Sequence, residues 1–246
     1  AGDVERERQA VALQARAHWS RAVWHKLQPR GTQPADPLVR DQQARALAED
    51  LLALTADQPD WRYDFEFTPG VQTNNFATWA NERTEVTPGD LYVTHDPSGR
   101  SVESVHMTDP IDGIVDPALS RLVWEFVDAF RHSPLIVTSA REMHLILAED
   151  ALAAGDDATF RTHINAVRAL EPGLSPYENQ ISAMEMLRHS RRVNLWGMGR
   201  RLHDHFRFGT RSPGWLHNSF AITRPGSFLP IGREERLTNC YLLGTC

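Results

Sequence analysis

Three groups of side chains in this sequence have types and spacings that could do chemistry. His203, Asp204 and His205 are consecutive, and two imidazoles flanking a carboxylate make a donor set for a metal ion. In a helix, positions two apart point about 200° from each other, so these histidines could share an ion only in an extended segment, and no metal centre is expected. Arg188, Arg191, Arg192, Arg200, Arg201, Arg207 and Arg211 crowd into one short stretch. Such crowding suits either an anion site or a scaffold of salt bridges, and the habit of helical arginines to pair with carboxylates favours the scaffold. The third group is aromatic: Trp61, Tyr63, Trp79 and Trp215 lie in stretches rich in turn residues, where loops display function. Their faces stack on sugar rings and anchor protein interfaces, which makes them the expected ligand- or partner-binding residues.

A catalytic set is missing from the sequence. There is no G-x-S-x-G elbow, no HExxH and no CxxC, and Gly197-Met198-Gly199 is too short for a dinucleotide fingerprint and follows no strand. Its glycines let the chain bend between two helices. Cys240 and Cys246 could close a small loop in an oxidising compartment or stay as two thiols in a reducing one, and their spacing leaves both open. With no nucleophile, base and orienter in one constellation, the expectation is a protein that binds without catalysis and without a cofactor. A formal charge of −6 argues against nucleic acid as a partner, the arginine stretch being a local exception. No run approaches the roughly 18 apolar residues of a membrane span. The opening AGDVERERQA lacks the apolar core of an export signal, so the chain as given carries none, although an exported protein would already have lost it.

Helices must hold these groups in place. The 246 residues, 41% hydrophobic and 24% charged, suit one folded domain in three stretches. Residues 3 to 55 read as a helical hairpin: Val11, Ala15, Trp19, Ala22, Val23 and Leu27 recur at three- and four-residue steps. After a Pro/Gly break, Asp36-Pro37 offers an N-cap and first turn for a second helix with Ala44, Leu47, Leu51 and Leu54 inward. Residues 56 to 115 lose the helical period; a β-hairpin is expected around Asp96-Pro97-Ser98-Gly99. Trp61, Tyr63, Phe65 and Phe67 alternate with polar residues, as in a half-buried strand or an exposed platform. Residues 116 to 246 return to helix. One helix opens at Asp116-Pro117, and another at a Ser139/Glu142 capping box that Gly155 ends. Phe160, Ile164, Val167 and Leu170 seam the next, and a second capping box, Ser175/Glu178, starts one reaching about Trp196. Helix, Gly-Asp turn, helix and LEPG form the pattern of one tetratricopeptide-like repeat.

Three ordered motifs in the last part of the chain resemble the C-terminal signature of the SusD/RagB family of outer-membrane nutrient-binding lipoproteins. Glu142, Leu145, Ala148, Glu149, Gly155 and Asp156 match its first part; Arg191, Arg192, Leu195, Gly199, Arg201, Asp204, Arg207 and Gly209 match its second; Pro230, Ile231, Glu235 and Asn239 match its third. Where the family carries glutamates in the second motif, this chain has Ser190, Asn194 and Met198, so part of a buried arginine-carboxylate lattice must be replaced; Gly232 stands in place of a proline. Family members are longer and carry a lipidated cysteine, and no cysteine stands at position 1, so an anchor is expected upstream or not at all. The resemblance implies a mainly α fold of tetratricopeptide-like helix pairs with a small β-hairpin insertion. It implies no enzyme activity, export to the periplasm or outer membrane, and capture of glycan or another nutrient over a TonB-dependent transporter. The shortened frame leaves a second expectation, an accessory subunit docked on a membrane-protein complex.

Overall fold

Small residues on two apolar stripes bring the first helices together. In α1 (Gly2–Lys26), Ala12, Ala15, Trp19 and Val23 are buried, and in α2 (Gln42–Leu54) so are Ala44, Ala48 and Leu51. The computed structural model describes residues 2–28 and 32–212. The second helix starts later than Asp36-Pro37 suggests. Asp41 is its N-cap, accepting from the Ala44 amide at 2.8 Å. Asp36 instead takes Lys26 Nζ at 2.9 Å and the Leu38 amide at 3.0 Å. The reason is tertiary: the Pro37 carbonyl accepts from Arg207 at 3.1 Å and the Val39 amide donates to Glu149 at 3.0 Å, which keeps this segment out of the helix.

Residues 56 to 115 contain the expected hairpin. Following β1 (Arg62–Phe65) and the short α3 (Asn75–Ala77), β2 (Val93–His95) pairs antiparallel with β3 (Val102–Val105). The Asp96 carboxylate ties the turn, accepting from Ser98 Oγ at 2.7 Å and the Arg100 amide at 3.0 Å. A second sheet is absent from the sequence reading. After α4 (Pro117–Asp128), capped by Asp116 as expected, β4 (Leu135–Ser139) pairs antiparallel with β1, Arg62 lying opposite Ser139 and Phe65 opposite Leu135. The run Leu135-Ile136-Val137-Thr138 was its signal, with three β-branched residues in four.

Strand β4 runs directly into α5 (Ala140–Ala154), and this junction alters the first capping box. Ser139 accepts from the Glu142 amide at 3.2 Å, but the Glu142 carboxylate is held by Arg200 Nε at 2.6 Å, so the reciprocal half does not form. Gly155 ends the helix at φ 74°, and Asp156 caps α6 (Asp157–Arg168) through Thr159. The following helix, α7 (Ala183–Asn194), begins at a capping box made by Ser182 and Glu185, not by Ser175 and Glu178. Residues 175 to 181 are a loop because Asn165 clamps Tyr177, its Oδ1 accepting from the Tyr177 amide at 2.7 Å and its Nδ2 donating to the Tyr177 carbonyl at 3.2 Å. Asn179 sits at φ 66°, which a helix does not allow. Helix α8 (Arg201–Phe208) completes the described chain. The result is mainly helical with two small two-stranded sheets, and no helix among the described residues is long and apolar enough to cross a membrane.

Helix α5 is buried on nearly every side, its Met143 and Ile146 packing toward α1 and α2 and its Leu145 and Ala148 toward α6 and α7. Its charged residues are therefore buried too, and each meets a counter-charge. Glu149, 0% exposed, accepts from Arg207 Nη2 at 2.9 Å and lies 3.5 Å from Arg191 Nη1. Arg207, also 0% exposed, donates to Asp204 at 2.8 and 3.0 Å, and Arg191 grips the same carboxylate at 3.0 and 3.1 Å. Arg141 spans Asp60 at 2.6 Å, Glu171 at 2.6 Å and Asn194 at 2.9 Å. Neutralising one member strands a buried charge. Arg207→Ala and Glu149→Gln are each expected to lower unfolding free energy by about 3–5 kcal/mol. Urea denaturation checks this; a loss under about 1 kcal/mol, the value of a surface pair, would contradict it.

Candidate functional site

The aromatic residues singled out in the sequence do not converge. Trp61 is 5% exposed in the core beside α1, with its indole donating to Glu5 at 3.2 and 3.3 Å, so its faces are covered by protein and the binding role expected for it is corrected. Tyr63 is half-buried on β1, edge-on to Phe65 with centroids 5.6 Å apart. Trp79 is 45% exposed on the π-helical turn that continues α3. Trp215, like Cys240, Cys246 and the third motif, lies outside the described residues.

A different aromatic set walls a groove. Phe76 and Phe126 stand 5.7 Å apart between ring centroids, and Phe126 meets Trp196 edge-on at 5.7 Å. They come from α3, the outer face of α4 and the bend after α7. Asn74 holds α3 in place: its Oδ1 accepts from the amides of Phe76 and Ala77, while its Nδ2 donates to the Ser133 carbonyl at 2.9 Å. With Leu135 and Ile136 at the start of β4, these rings enclose a cavity of about 250 Å³ that opens to solvent. Phe76 keeps half of its surface exposed, at 50%. Large aromatic side chains left uncovered beside a concavity are the usual lining of a small-molecule site.

The groove has little acid-base chemistry. Its ionisable lining residue, Glu125, is bound by both terminal nitrogens of Arg62, one at 2.7 Å, and that contact holds the carboxyl below its usual range despite partial burial. An ionised carboxylate so held accepts hydrogen bonds and does not shuttle protons. The described groups with more chemical promise lie elsewhere and satisfy one another. Asp109, Asp116 and His189 place three possible ligand atoms within 4.8 Å. Yet Asp109 is forked by Arg168 at 2.7 and 3.2 Å, and Asp116 caps α4 while meeting His189 Nε2 at 2.8 Å. Only about 10 Å³ of space adjoins them. They lash the loop at Asp109 and α4 to α6 and α7.

The residues expected to form a frame are buried together: Glu142, Glu149, Arg191, Asp204 and Arg207 make the ion-pair lattice, while Gly155 and Gly209 close α5 and α8 at φ 74° and 62°. Gly199, at φ 75°, belongs to the bend between α7 and α8. Arg192 and Arg201 stand apart from the lattice, half-buried and facing another cavity. Phe126 and Trp196 escaped notice as site residues because periodicity assigns Phe126 to the inner face of α4 and Trp196 to a helix end. The available clue was Asn74, a helix-capping residue two positions before Phe76. No protein-family model, no curated protein and no solved structure matches this chain.

His203 and His205 both lie in α8, where positions two apart point to different sides of the helix, and His205 Nδ1 faces Thr210 Oγ1 at 2.8 Å. His144 and His163 present their Nδ1 atoms to each other at 3.0 Å, so one carries the hydrogen and the other accepts it. Burial, before any neighbouring charge, pushes His144, His203 and His205 down from 6.5 to about 4. Burial by itself would raise Asp204, but Arg191 and Arg207 hold it well below the carboxylate range. The unfolded chain therefore takes up protons at these histidines before the folded one does. Their contribution to stability is full above the unfolded value and is lost as pH falls from 6.5 toward 4. Urea midpoints should be level above about pH 7, decline through that window, and decline less in His144→Gln. A midpoint that rises on acidification would contradict the assignment.

Proposed function

We propose that this chain is a non-enzymatic binding protein that takes a neutral, ring-bearing ligand, an oligosaccharide above all, between Phe76, Phe126 and Trp196. The observation that carries this is the open groove of about 250 Å³ walled by three aromatic rings, with its carboxylate already committed to Arg62. Aromatic faces bind the C–H faces of sugars without needing a charge. The proposed setting, export and capture of glycan at the outer membrane beside a TonB-dependent transporter, rests on the resemblance of the ordered motifs to the SusD/RagB family. Under that reading α1 with α2, and α5 with α6, are tetratricopeptide-like pairs.

Titration calorimetry with neutral malto- and xylo-oligosaccharides is the test. Micromolar to millimolar binding is expected. Trp196→Ala should weaken it by about 2 kcal/mol, roughly thirtyfold in Kd. Phe76→Ala, at an exposed position, gives a second measure should the tryptophan variant fold poorly. Trp61→Phe should leave affinity unchanged. Absence of binding across the panel, or wild-type affinity in both groove variants, would refute the saccharide reading.

The second reading, an accessory subunit docked on a membrane-protein complex, is favoured by Phe65, Trp79 and Phe130, which are 49%, 45% and 43% exposed and do not line the groove. Large apolar side chains left exposed are surface that a protein partner would cover. Fixed-stoichiometry co-purification from native membranes, lost in Trp79→Ser with Phe130→Ser, is its expected signature. Recovery of the wild-type chain free of any complex would count against it.

A further inference from the structure

The arginines between positions 188 and 211 divide into two kinds. Arg191, Arg200 and Arg207 each grip a carboxylate. Arg192, near the end of α7, and Arg201, the first residue of α8, have no such carboxylate among the described residues. The Nε of Arg192 and both the Nε and Nη2 of Arg201 are buried without a hydrogen-bond partner among the described residues. A guanidinium donor removed from water and left unmade is costly, and native structures rarely keep several in one place without a reason.

Both side chains line one cavity of about 150 Å³, together with Tyr92, Trp196 and the backbone of Gly197 and Gly199. That is about tenfold more than the roughly 15 Å³ a single water requires. Arg191 and Arg200 also reach its wall, but their charges are committed, Arg191 to Asp204 and Glu149 and Arg200 to Glu142. The carboxylate that borders the cavity, Asp204, has its oxygens taken by Arg191 and Arg207, so it neither neutralises Arg192 and Arg201 nor competes for them. The positive field is felt locally. Burial and then Arg201 push the Arg192 guanidinium down, and burial and then Arg201 push His205 down to about 4.

The geometry points to an oxyanion site in this cavity, where a phosphate, sulfate or carboxylate group is held between the guanidinium groups of Arg192 and Arg201. Planar guanidinium forks match the oxygens of such groups two at a time, which a spherical halide cannot reproduce. Trp196 and Gly197 border both this cavity and the aromatic groove, so the anion can arrive free or as a substituent on a ring that lies in the groove. The oxyanion site does not depend on the saccharide reading.

The test is thermal unfolding and Trp fluorescence of the whole chain, titrated with sodium sulfate, sodium phosphate and sodium glucuronate. Ionic strength is kept constant with chloride, and glucose is the uncharged control. A saturable rise in Tm with an oxyanion, and none with chloride or glucose, is expected. A response to the inorganic ions identifies a free anion as sufficient, whereas a response to glucuronate alone identifies an acidic sugar. Arg192→Gln and Arg201→Gln should each weaken the response about tenfold or more, since each removes charge-assisted hydrogen bonds. Arg201→Lys, which keeps the charge and loses the fork, should weaken it too. Without anion, the Gln variants should melt at or above the wild-type temperature, because each removes guanidinium donors that are buried without a hydrogen bond among the described residues; a merely structural arginine would show the reverse. No saturable response to any of the three oxyanions, an undiminished response in Arg201→Gln, or Gln variants that melt lower or fail to fold would overturn the proposal.

Discussion

Arg207 and Glu149 are both 0% exposed and bound to each other, and the packing of the C-terminal half depends on that pair. Removing two such ions from water is expensive, and a buried pair recovers the cost only where every remaining oxygen and N–H is also met. Here they are met from four directions. Arg207 reaches Asp204 within α8 and the Pro37 carbonyl in the link before α2; Glu149 reaches Arg191 in α7 and the Val39 amide. A pair of this sort adds less to net stability than to uniqueness. Any slip of α8 along α5 by one turn would leave charges facing apolar side chains.

The same logic explains why α5 can be a central helix without being an apolar one. Arg141, Glu142, Glu149 and Asp150 are all buried and reach outward to several elements: the turn before β1 and the segment after α6, the approach to α8, Arg207 of α8 with the link before α2, and Arg40 and Arg45 at the start of α2. The hydrophobic residues between them fill two separate cores. Apolar contacts hold the helices together, and the ion pairs choose among the arrangements those contacts would tolerate.

Local rules were legible in the sequence and long-range ones were not. The stripe on α1, the left-handed stop at Gly155, the Asp116 cap and the Asp96 turn depend on residues a few positions apart, and the structure keeps all of them. The errors share one cause. Asp36 and Ser175 have the right residue types to start helices, but the backbone beside each is claimed by a distant side chain, Arg207 and Glu149 in one case and Asn165 in the other. Ser139 and Glu142 form only half of their box because Arg200, fifty-eight positions away from Glu142, takes the carboxylate. Strand β1 is visible as an alternation, yet that Trp61 at its edge is buried and Phe65 is 49% exposed follows from pairing with β4, a strand about seventy residues later. The groove is the extreme case, assembled from α3, from α4 with the start of β4, and from the bend after α7, three places well separated in the chain.

The lattice also shapes the two cavities beside it. Between Gly197 and Gly199, both at positive φ, the Met198 carbonyl accepts from Arg200 Nη1 at 2.6 Å while Arg200 Nε holds Glu142. The bend is therefore pinned to α5 through a single guanidinium. Trp196, immediately before it, is turned toward Phe126, and Arg201, immediately after Arg200, begins α8 facing the opposite cavity. A carboxylate placed opposite Arg201 would have extended the scaffold by one more pair. Its absence among the described residues, beside an arginine that is so thoroughly paired, separates the part of this region that keeps shape from the part left open to receive something.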